Sequence, residues 1–450
     1  MNHLQMFAAV VLAGLATVVL VPAAYAATPL WKAGVAVVDI TPAESIWMAG
    51  YASRTKPSEG VLQRLRAKAI ALEDEAGGVS VIVTSDLLGF TASMSQEVAA
   101  RVQKAHGLPR ERLVLNASHT HSGPVTGQKG RPNYVLDENQ SKVVERYTAK
   151  LIDQVVEVIG KALSDRQPAE LAFEQGFAGF AVNRRRVGNR QYPGPVDHDV
   201  PVLSVRGADG KLMAVLFGYS CHATVLNQYE INGDWPGYAQ EALEKAHPGT
   251  VAMFVNGCGA DQNPLPRREV WLAQRYGEIL AKAVDLVLEG KMRPITGPIR
   301  ARYQTVDLLL QEPPSRAEFE KRAKGDDQSL RNHARLMLHY LDKDGKLWDR
   351  YPYPVQVWQF GGGLTFISLA GEVVADYSLR LKREHGWDDT WVSGYNNDVF
   401  AYIPSLRILH EGGYEGGGAM IGYGQPAPFR ASVEETIVET VAELVRATNE

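Results

Sequence analysis

The 450-residue sequence has a formal net charge of −4, is 45% hydrophobic and 22% charged, and contains two cysteines. This composition is ordinary for a soluble globular protein, and the nearly balanced charge excludes a typical nucleic-acid-binding chain. The length allows one large domain or two of common size. Cys221 and Cys258 either form a single disulfide or remain buried thiols, since the sequence does not decide between them.

The first 26 residues have the pattern of a secretory signal peptide. Residues 6–22 form a nearly unbroken apolar run, and Ala24 and Ala26 follow it in a small-x-small cleavage pattern. The alternative is an uncleaved membrane anchor, but the run is short for a span and ends in proline and small residues. We therefore expect a periplasmic or secreted mature protein with at most peripheral membrane contact.

Predicted strands and helices alternate along the remaining chain. Apolar, β-prone runs predict strands at 31–40, 79–84, 113–115, 212–219 and 250–255 and a hairpin at 355–369, and helical spacing predicts helices at 147–163, 271–288 and 373–384. The charged helical segment from Pro314 to Leu341 is either a solvated insertion or a lid. We predict a single α/β catalytic domain, residues 27–450, with mixed β-sheets flanked by helices.

Two histidines follow the strand at 113–115. Side chains two residues apart on an extended backbone point the same way, so His119 and His121 are expected to project together from the strand end. Imidazole is the commonest protein metal ligand and transfers protons near neutral pH. The pair predicts a metal site, although a polar surface loop is the alternative for so short a pattern.

Further strands end in polar residues beside glycine or proline, namely Asp86, His222, Asp261 and Glu372. In open α/β sheets, ligands bind outside the strand ends. A catalytic zinc site uses about three histidine or carboxylate ligands and leaves one position for water or substrate. His119, His222 and Glu372 are therefore candidate Zn²⁺ ligands, but their wide separation in sequence gives no proof.

An ordered series of short motifs runs from about residue 31 to residue 430. The series comprises Ala33–Pro42, Gly50–Tyr51, Leu65–Ala69, Ser118–Pro124, Asn183–Arg184, Cys221–Thr224, Gly233–Gly237 and Gly371–Val373. In this order the motifs resemble those of the neutral (non-lysosomal) ceramidases, zinc-dependent amidases that cleave the N-acyl bond of ceramide. The segment Thr120–Pro124, with His119 before it, is the most specific of them.

The resemblance implies a set of site residues. The implied zinc ligands are His119, His222, Glu372 and Tyr402. The other implied active-site residues are His121, Tyr414 and Arg184, the last as an arginine that lines the substrate pocket. The implied partner is a small-molecule or lipid substrate, and no nucleic acid.

Two departures from the family pattern concern the substrate. The ceramide-cleaving members carry an active-site serine in the turn after a buried strand, where this chain has Asp261. Those members also end in a further β-sandwich domain, and we expect this chain to correspond to the catalytic domain alone. Asp261 could serve as the general base that takes a proton from water; alternatively, it caps a helix or binds a second cation.

The sequence thus predicts a secreted zinc hydrolase of an amide C–N bond, with N-acyl-sphingosine as a possible substrate. One alternative is a zinc hydrolase of the same fold that acts on another amide or on a glycan- or cyclitol-derived compound. Another is an exported binding protein without catalytic activity. A long apolar groove beside the metal would favour the lipid amide, and a small polar pocket would favour the other substrates.

Overall fold

The computed structural model describes residues 31–127, 131–189 and 191–449, so the predicted signal peptide, residues 1–26, lies outside the described residues. The strands are β1 Trp31–Asp39, β2 Gly60–Val61, β3 Arg66–Glu73, β4 Val79–Ser85, β5 Leu113–Ala117, β6 Gln167–Phe177, β7 Ala181–Asn183, β8 Asp199–Gly207, β9 Leu212–Tyr219, β10 Glu230–Ile231, β11 Val251–Asn256, β12 Gln262–Pro264, β13 Arg293–Ile295, β14 Ile299–Leu309, β15 Arg350–Phe360, β16 Leu364–Leu369, β17 Glu372–Val373, β18 Thr390–Ser393 and β19 Tyr402–Ile403.

The α-helices in these ranges are α1 Ala92–His106, α2 Glu138–Ser164, α3 Asp234–Ala246, α4 Val270–Glu289, α5 Arg316–Arg322, α6 Gln328–Asp344, α7 Ala375–His385, α8 Leu406–Glu411, α9 Met420–Tyr423 and α10 Val433–Asn449. A π-helical turn, Tyr414–Gly418, precedes α9.

Most of the strands belong to two mixed sheets. The larger sheet has nine strands in the order β11-β9-β8-β6-β1-β3-β4-β5, with β13 paired to β6, and the smaller sheet has the order β14-β15-β16-β18. Parallel pairs occur at β4–β5, β9–β11 and β16–β18, and the other pairs on these paths are antiparallel. The prediction of mixed sheets flanked by helices is confirmed.

The sheets stack face to face between two layers of helices. In β3, Ala67, Ala69 and Ala71 face the helices, while Ile70 and Leu72 face the other sheet, as the two-residue period of a strand requires. The inter-sheet core includes Phe173 of β6 and Trp391 of β18, whose rings stack with centroids 6.2 Å apart. Helices α1 to α4 pack on the larger sheet, and α7 and α10 pack on the smaller one.

A buried asparagine network joins strand ends from both sheets. It consists of Asn116 (β5), Asn256 (β11), Ser393 (β18) and Asn396. The side chain of Asn116 accepts a hydrogen bond from the backbone N–H of Asn256 (3.0 Å) and donates to Oδ1 of Asn396 (2.9 Å). Ser393 donates to the backbone oxygen of Asn256 (2.9 Å). The network therefore brings the loops after β5 and β11 next to the end of the smaller sheet.

The charged segment predicted from Pro314 to Leu341 is helical and forms α5 and most of α6. The two helices share a small core of Phe319, Ala334 and Met337. Among the described residues, none of the helices combines the length and the apolar character that crossing a bilayer would require. Cys221 and Cys258 are both buried free thiols, which decides between the two alternatives left by the sequence.

Candidate active site

The loop after β5 carries His119 and His121. The strand ends at Ala117, and His119 has φ of +59°, in the left-handed region that residues other than glycine rarely occupy. The extended backbone from which the common direction of the two histidines was predicted is therefore absent at His119. Their side chains meet nonetheless, because this turn places Nε2 of His121 at 3.2 Å from Nε2 of His119.

Glu372 and His222 complete a compact cluster with His119. Oε2 of Glu372 lies 3.2 Å from Nε2 of His119 and 3.0 Å from Nε2 of His222. The hydroxyl of Tyr402 is 3.2 Å from the same nitrogen of His222. Donor atoms bound to one tetrahedral zinc ion are about 3.3 Å apart, as bond lengths near 2.05 Å imply. The structure thus brings the four predicted ligands close enough to share one ion.

The protonation of the imidazoles also fits a cation. His119 Nδ1 contacts the carbonyl oxygen of Leu88 (2.6 Å), and His222 Nδ1 contacts that of Gly259 (2.8 Å). A carbonyl only accepts, so each Nδ1 carries the proton, and a neutral ring then directs its Nε2 lone pair into the cluster. Burial and the charge of Arg184 lower the pKa of His222 to about 4, which keeps it neutral at pH 7. Lone pairs that face a carboxylate repel it, and a cation held between them would remove this repulsion.

The third histidine supports the same conclusion. His121, His119 and His222 form a group whose ligand atoms lie within 4.8 Å of one another and could hold a metal ion. Nδ1 of His121 is buried without a hydrogen-bond partner. This nitrogen lies against Gly50, where an added Cβ would come within 2.5 Å of it, whereas Nε2 is the His121 atom that faces the cluster.

Tyr423 contacts the other oxygen of the Glu372 carboxylate. Its hydroxyl donates to Oε1, which leaves Oε2 facing the histidines. The guanidinium of Arg131 lies over the ring of Tyr423, 4.4 Å from the centroid. A Cβ at the adjacent Gly422 would lie 2.3 Å from Nδ2 of Asn133, so a larger residue there would displace the Asn133 side chain. The end of α9 is therefore held against the cluster from both sides.

Arg184 lies behind Tyr402 in this arrangement. It donates to the Tyr402 hydroxyl (3.2 Å) and forms an ion pair with Oε1 of Glu415 (2.6 Å). Tyr402 itself is placed by the parallel pairing of β19 with β17, in which it lies opposite Glu372. These contacts hold Tyr402 in position, and the expected contact of Arg184 with substrate stays a prediction.

The cluster opens into a cavity of about 40 Å³. Most of its lining side chains are polar or aromatic: His119, His121, Arg131, Asn133, Tyr134, Glu372, Tyr402, Tyr414 and Tyr423. Tyr414, a predicted active-site residue, is 53% exposed, and its ring packs against that of Tyr402. The cavity is therefore a small polar pocket and not the long apolar groove that would favour a lipid amide.

Comparison with known proteins identifies the family. The profile described as neutral/alkaline non-lysosomal ceramidase, N-terminal, matches residues 31–262, which is more than half of the chain. The chain belongs to the neutral/alkaline non-lysosomal ceramidase family. Membership in this family makes the protein a hydrolase and confirms the resemblance carried by the motifs.

Relatives within the family are distant. The neutral ceramidase of Mycobacterium tuberculosis is 23% identical over 92% of this chain and 76% of its own length. That of Pseudomonas aeruginosa is 26% identical over 64% of this chain and 46% of its own length. The crystal structure of the P. aeruginosa neutral ceramidase superposes with a TM-score of 0.73 over 93% of this chain and 75% of that one, at 20% identity. The shared fold is therefore clear.

The Asp261 carboxylate is hydrogen-bonded to residues outside the histidine cluster. One carboxylate oxygen accepts from Nδ2 of Asn183 (2.9 Å) and the other from the backbone N–H of Ala375 (2.9 Å), the first residue of α7. Burial raises the pKa of Asp261 to about 6. This arrangement agrees with the alternative that Asp261 caps a helix, although the helix is α7 rather than the next one in sequence. Its role as a general base stays a prediction.

Sequence reasoning missed several residues around the cluster. Tyr423 and Arg131 belong to no recognisable motif, and Tyr423 lies 51 residues from the carboxylate that it contacts. The ring of Tyr395 lies 4.5 Å from that of His119, and Tyr395 also has a positive φ of +57°. The backbone carbonyls of Leu88 and Gly259 fix the imidazoles and leave no trace in residue type. Of these residues, only Tyr423 has a glycine on each side, so a search for tyrosines flanked by glycines could have found it.

Proposed function

We propose that this protein is a zinc-dependent hydrolase that cleaves the C–N bond of an amide, with N-acyl-sphingosine as the first substrate to test. The observation that carries the proposal is the convergence of His119, His222 and Glu372 on one point at the bottom of a polar cavity. The names of the relatives, all neutral ceramidases, support the choice of substrate.

The ligand set in this proposal is His119, His222, Glu372 and Tyr402. Nitrogen and carboxylate donors of this kind are those that zinc takes in hydrolases. When bound, zinc supplies Lewis acidity, which lowers the pKa of water toward ~7 and polarises a carbonyl group. We propose zinc over other divalent ions on the donor set and the family.

The residues of the chain then divide the remaining tasks. Glu372 holds one oxygen toward the histidines because Tyr423 binds the other. His121, which partly lines the cavity, is placed to give a proton to the leaving nitrogen or to stabilise the tetrahedral oxyanion. The Tyr414 hydroxyl reaches the same cavity and can donate a hydrogen bond to the oxyanion. Arg184 keeps the Tyr402 hydroxyl next to His222.

The location of the protein forms part of the proposal. The apolar run at residues 6–22, with small residues after it, supports export to the periplasm or the medium. A polar pocket open to an extracytoplasmic compartment would meet free lipids or other acylated compounds there. Microscopy or fractionation of a tagged full-length chain tests this proposal, and retention in the cytoplasm would contradict it.

A second candidate is the hydrolysis of a more polar acyl compound, such as a glycan- or cyclitol-derived amide. The specific observation in its favour is the polar lining and the volume of only about 40 Å³ of the cavity at the cluster. Substrate profiling with a common acyl chain separates the two candidates.

The first experiment measures metal content and hydrolysis together. His119→Ala and His222→Ala each remove one donor, so bound zinc should fall to background by elemental analysis, and hydrolysis of a fluorescent N-acyl-sphingosine should fall with it. His247→Ala is the control, because this histidine pairs with Asp285 at the surface. Full zinc in either of the first two variants would contradict the ligand assignment. Zinc without hydrolysis of N-acyl-sphingosine would favour the second candidate, whereas a wild-type protein without bound zinc would favour the exported binding protein.

A further inference from the structure

The turn that begins at Arg131 forms one wall of the cavity at the histidine cluster. The backbone N–H of Tyr134 donates to the carbonyl oxygen of Arg131 (3.0 Å), which closes the turn. The Arg131 guanidinium donates to the carbonyl oxygen of Val399, and the carbonyl oxygen of Pro132 accepts from Nδ2 of Asn332 in α6 (3.2 Å). The turn is therefore fixed by the loop before β19 and by α6.

The hydroxyl of Tyr134 has a fixed oxygen and a free proton. Its oxygen accepts a hydrogen bond from the backbone N–H of Gly50 (3.2 Å), and no acceptor of the described residues lies within hydrogen-bond distance of its proton. Burial raises the pKa of Tyr134 above its usual value, so the hydroxyl keeps this proton at neutral pH. Because Tyr134 lines the cavity, its O–H is available to a group bound there.

The motif Gly50–Tyr51 ties this hydroxyl to the histidine cluster. Gly50 has φ of +95°, and a Cβ there would lie 2.5 Å from the ring of His121. The ring of Tyr51 packs against the same imidazole, with centroids 4.9 Å apart. Gly50 thus binds the Tyr134 hydroxyl through its N–H and leaves room for His121 because it has no side chain. One glycine therefore sets the positions of both groups in the cavity wall.

The other tyrosine hydroxyls of the cavity are placed differently. That of Tyr423 donates its proton to the carboxylate of the cluster, and that of Tyr402 belongs to the proposed ligand set. Tyr414 is 53% exposed, and its hydroxyl has no hydrogen-bond partner in the described ranges that would fix its direction. Among these four hydroxyls of the described cavity wall, that of Tyr134 alone joins a fixed oxygen to a proton without an acceptor.

From this geometry, and resting on the proposed amide hydrolysis, we infer that the Tyr134 hydroxyl donates a hydrogen bond to the carbonyl oxygen of the substrate and stabilises the charge that this oxygen gains. When water adds to the carbonyl carbon, the π pair of the C=O bond moves onto oxygen. When the C–N bond breaks, the C=O bond re-forms, and the nitrogen leaves with the bonding pair and takes a proton. Tyr134 keeps its own proton throughout and acts beside Tyr414. A donor that is already fixed needs no reorganisation as the charge develops.

The kinetic test uses the zinc-loaded full chain and a fluorescent N-acyl-sphingosine. Tyr134→Phe should lower kcat by about 10²–10³-fold, the usual loss for one oxyanion donor, and leave KM and zinc content within about twofold. Tyr147→Phe is the matched control, because it removes another buried hydroxyl, bonded to the carbonyl oxygen of Ile40 (2.6 Å), away from the cavity. A loss of kcat below about 10-fold in Tyr134→Phe, or an equal loss in both variants, would overturn the inference.

A calorimetric titration with octylphosphonate tests the same contact without turnover. This tetrahedral anion resembles the charged intermediate, so its Kd should rise by about 10–100-fold in Tyr134→Phe and stay unchanged in Tyr147→Phe. Equal Kd values for the wild type and Tyr134→Phe would overturn the inference. Normal amide hydrolysis by Tyr134→Phe would do the same and leave the amidase proposal standing. If the wild type cleaves no amide but the two Kd values differ as expected, the amidase proposal fails and Tyr134 remains the donor to a bound oxyanion.

Discussion

At the scale of single residues, the Glu372 carboxylate is the point on which the cluster depends. One of its oxygens faces His119 and His222, and the other accepts from Tyr423. Groups that hydrogen-bond a metal-binding side chain fix its orientation, and their loss typically costs 10–100-fold in metal affinity. If the proposed zinc site holds, Tyr423 affects its metal affinity although the Tyr423 hydroxyl contacts Glu372 rather than a histidine.

We expect Tyr423→Phe to weaken zinc binding by about 10–100-fold, because Glu372 can then rotate away from the histidines. Competition with a chromophoric chelator measures the affinity. Tyr414→Phe is the matched control, since Tyr414 lines the same cavity without a hydrogen bond to Glu372. Equal affinity for the wild type and Tyr423→Phe would show that Glu372 keeps its orientation without this hydroxyl.

Asp261 gives the second prediction at this scale. Its contacts with Asn183 and Ala375 hold the start of α7, so Asp261→Ala should lower the free energy of unfolding by about 1–3 kcal/mol while zinc stays bound. Chemical denaturation and metal analysis check the two parts. A loss of kcat of ~10² in Asp261→Asn with unchanged stability would instead support the general-base role expected from the sequence.

The sequence was sufficient to predict which residues form the site, but not the backbone conformation and contacts that position them. Residue types and the family resemblance named His119, His222, Glu372 and Tyr402, and the structure brings them together. The left-handed turn at His119 could not be predicted, because residues other than glycine adopt it only in a few per cent of cases even where, as for histidine, they are enriched, and because His119 is held by the distant carbonyl of Leu88. The same holds for the hydrogen bond of Tyr423.

At the scale of elements, the asparagine network explains why loops from separate strands meet. Asn116 in β5 binds the ends of β11 and of the loop after β18, where Asn396 lies. Long amphipathic elements such as α2 and α4 were predicted within a few residues at most ends, since burial of one face specifies them. Two-residue strands such as β17 and β19 were not, because tertiary pairing alone defines them.

Asn116→Ala should destabilise the protein by about 2–4 kcal/mol, since it leaves the N–H of Asn256 and the side chain of Asn396 buried without this partner. Urea denaturation measures the change. Gln103→Ala, on the exposed side of α1, should change stability by less than about 0.5 kcal/mol. A comparable effect of both substitutions would mean that the network does not hold the strand ends together.

At the scale of the whole molecule, a buried ion pair connects α7 on the smaller sheet with the start of β8 on the larger one. Nζ of Lys382 lies 2.9 Å from Asp197 and 2.8 Å from Asp199. Ser220 and Ser378 also donate to Asp197. Such a fully satisfied group is costly to break, because removal of one charge leaves the other buried and unpaired.

Lys382→Met should therefore lower the free energy of unfolding by about 3–5 kcal/mol. The exposed pair of Arg350 and Asp307 provides the control, and Arg350→Met should cost no more than about 1 kcal/mol. Thermal and urea denaturation of the wild type and the two variants measure these losses of stability. A loss below 1 kcal/mol for Lys382→Met would mean that this ion pair does not stabilise the packing of α7 against the start of β8.

The layered arrangement has a consequence for dissection of the chain. His119 and His222 lie within residues 31–262, the span that the family profile matches, whereas Glu372 and Tyr402 lie on the short β17–β19 pair, more than a hundred residues later. An expressed piece limited to that span would contain the three clustered imidazoles of His119, His121 and His222 but neither of the two oxygen donors. Co-expression with the remainder, as in split-protein complementation, would restore the proposed set of two imidazoles, a carboxylate and a tyrosine hydroxyl.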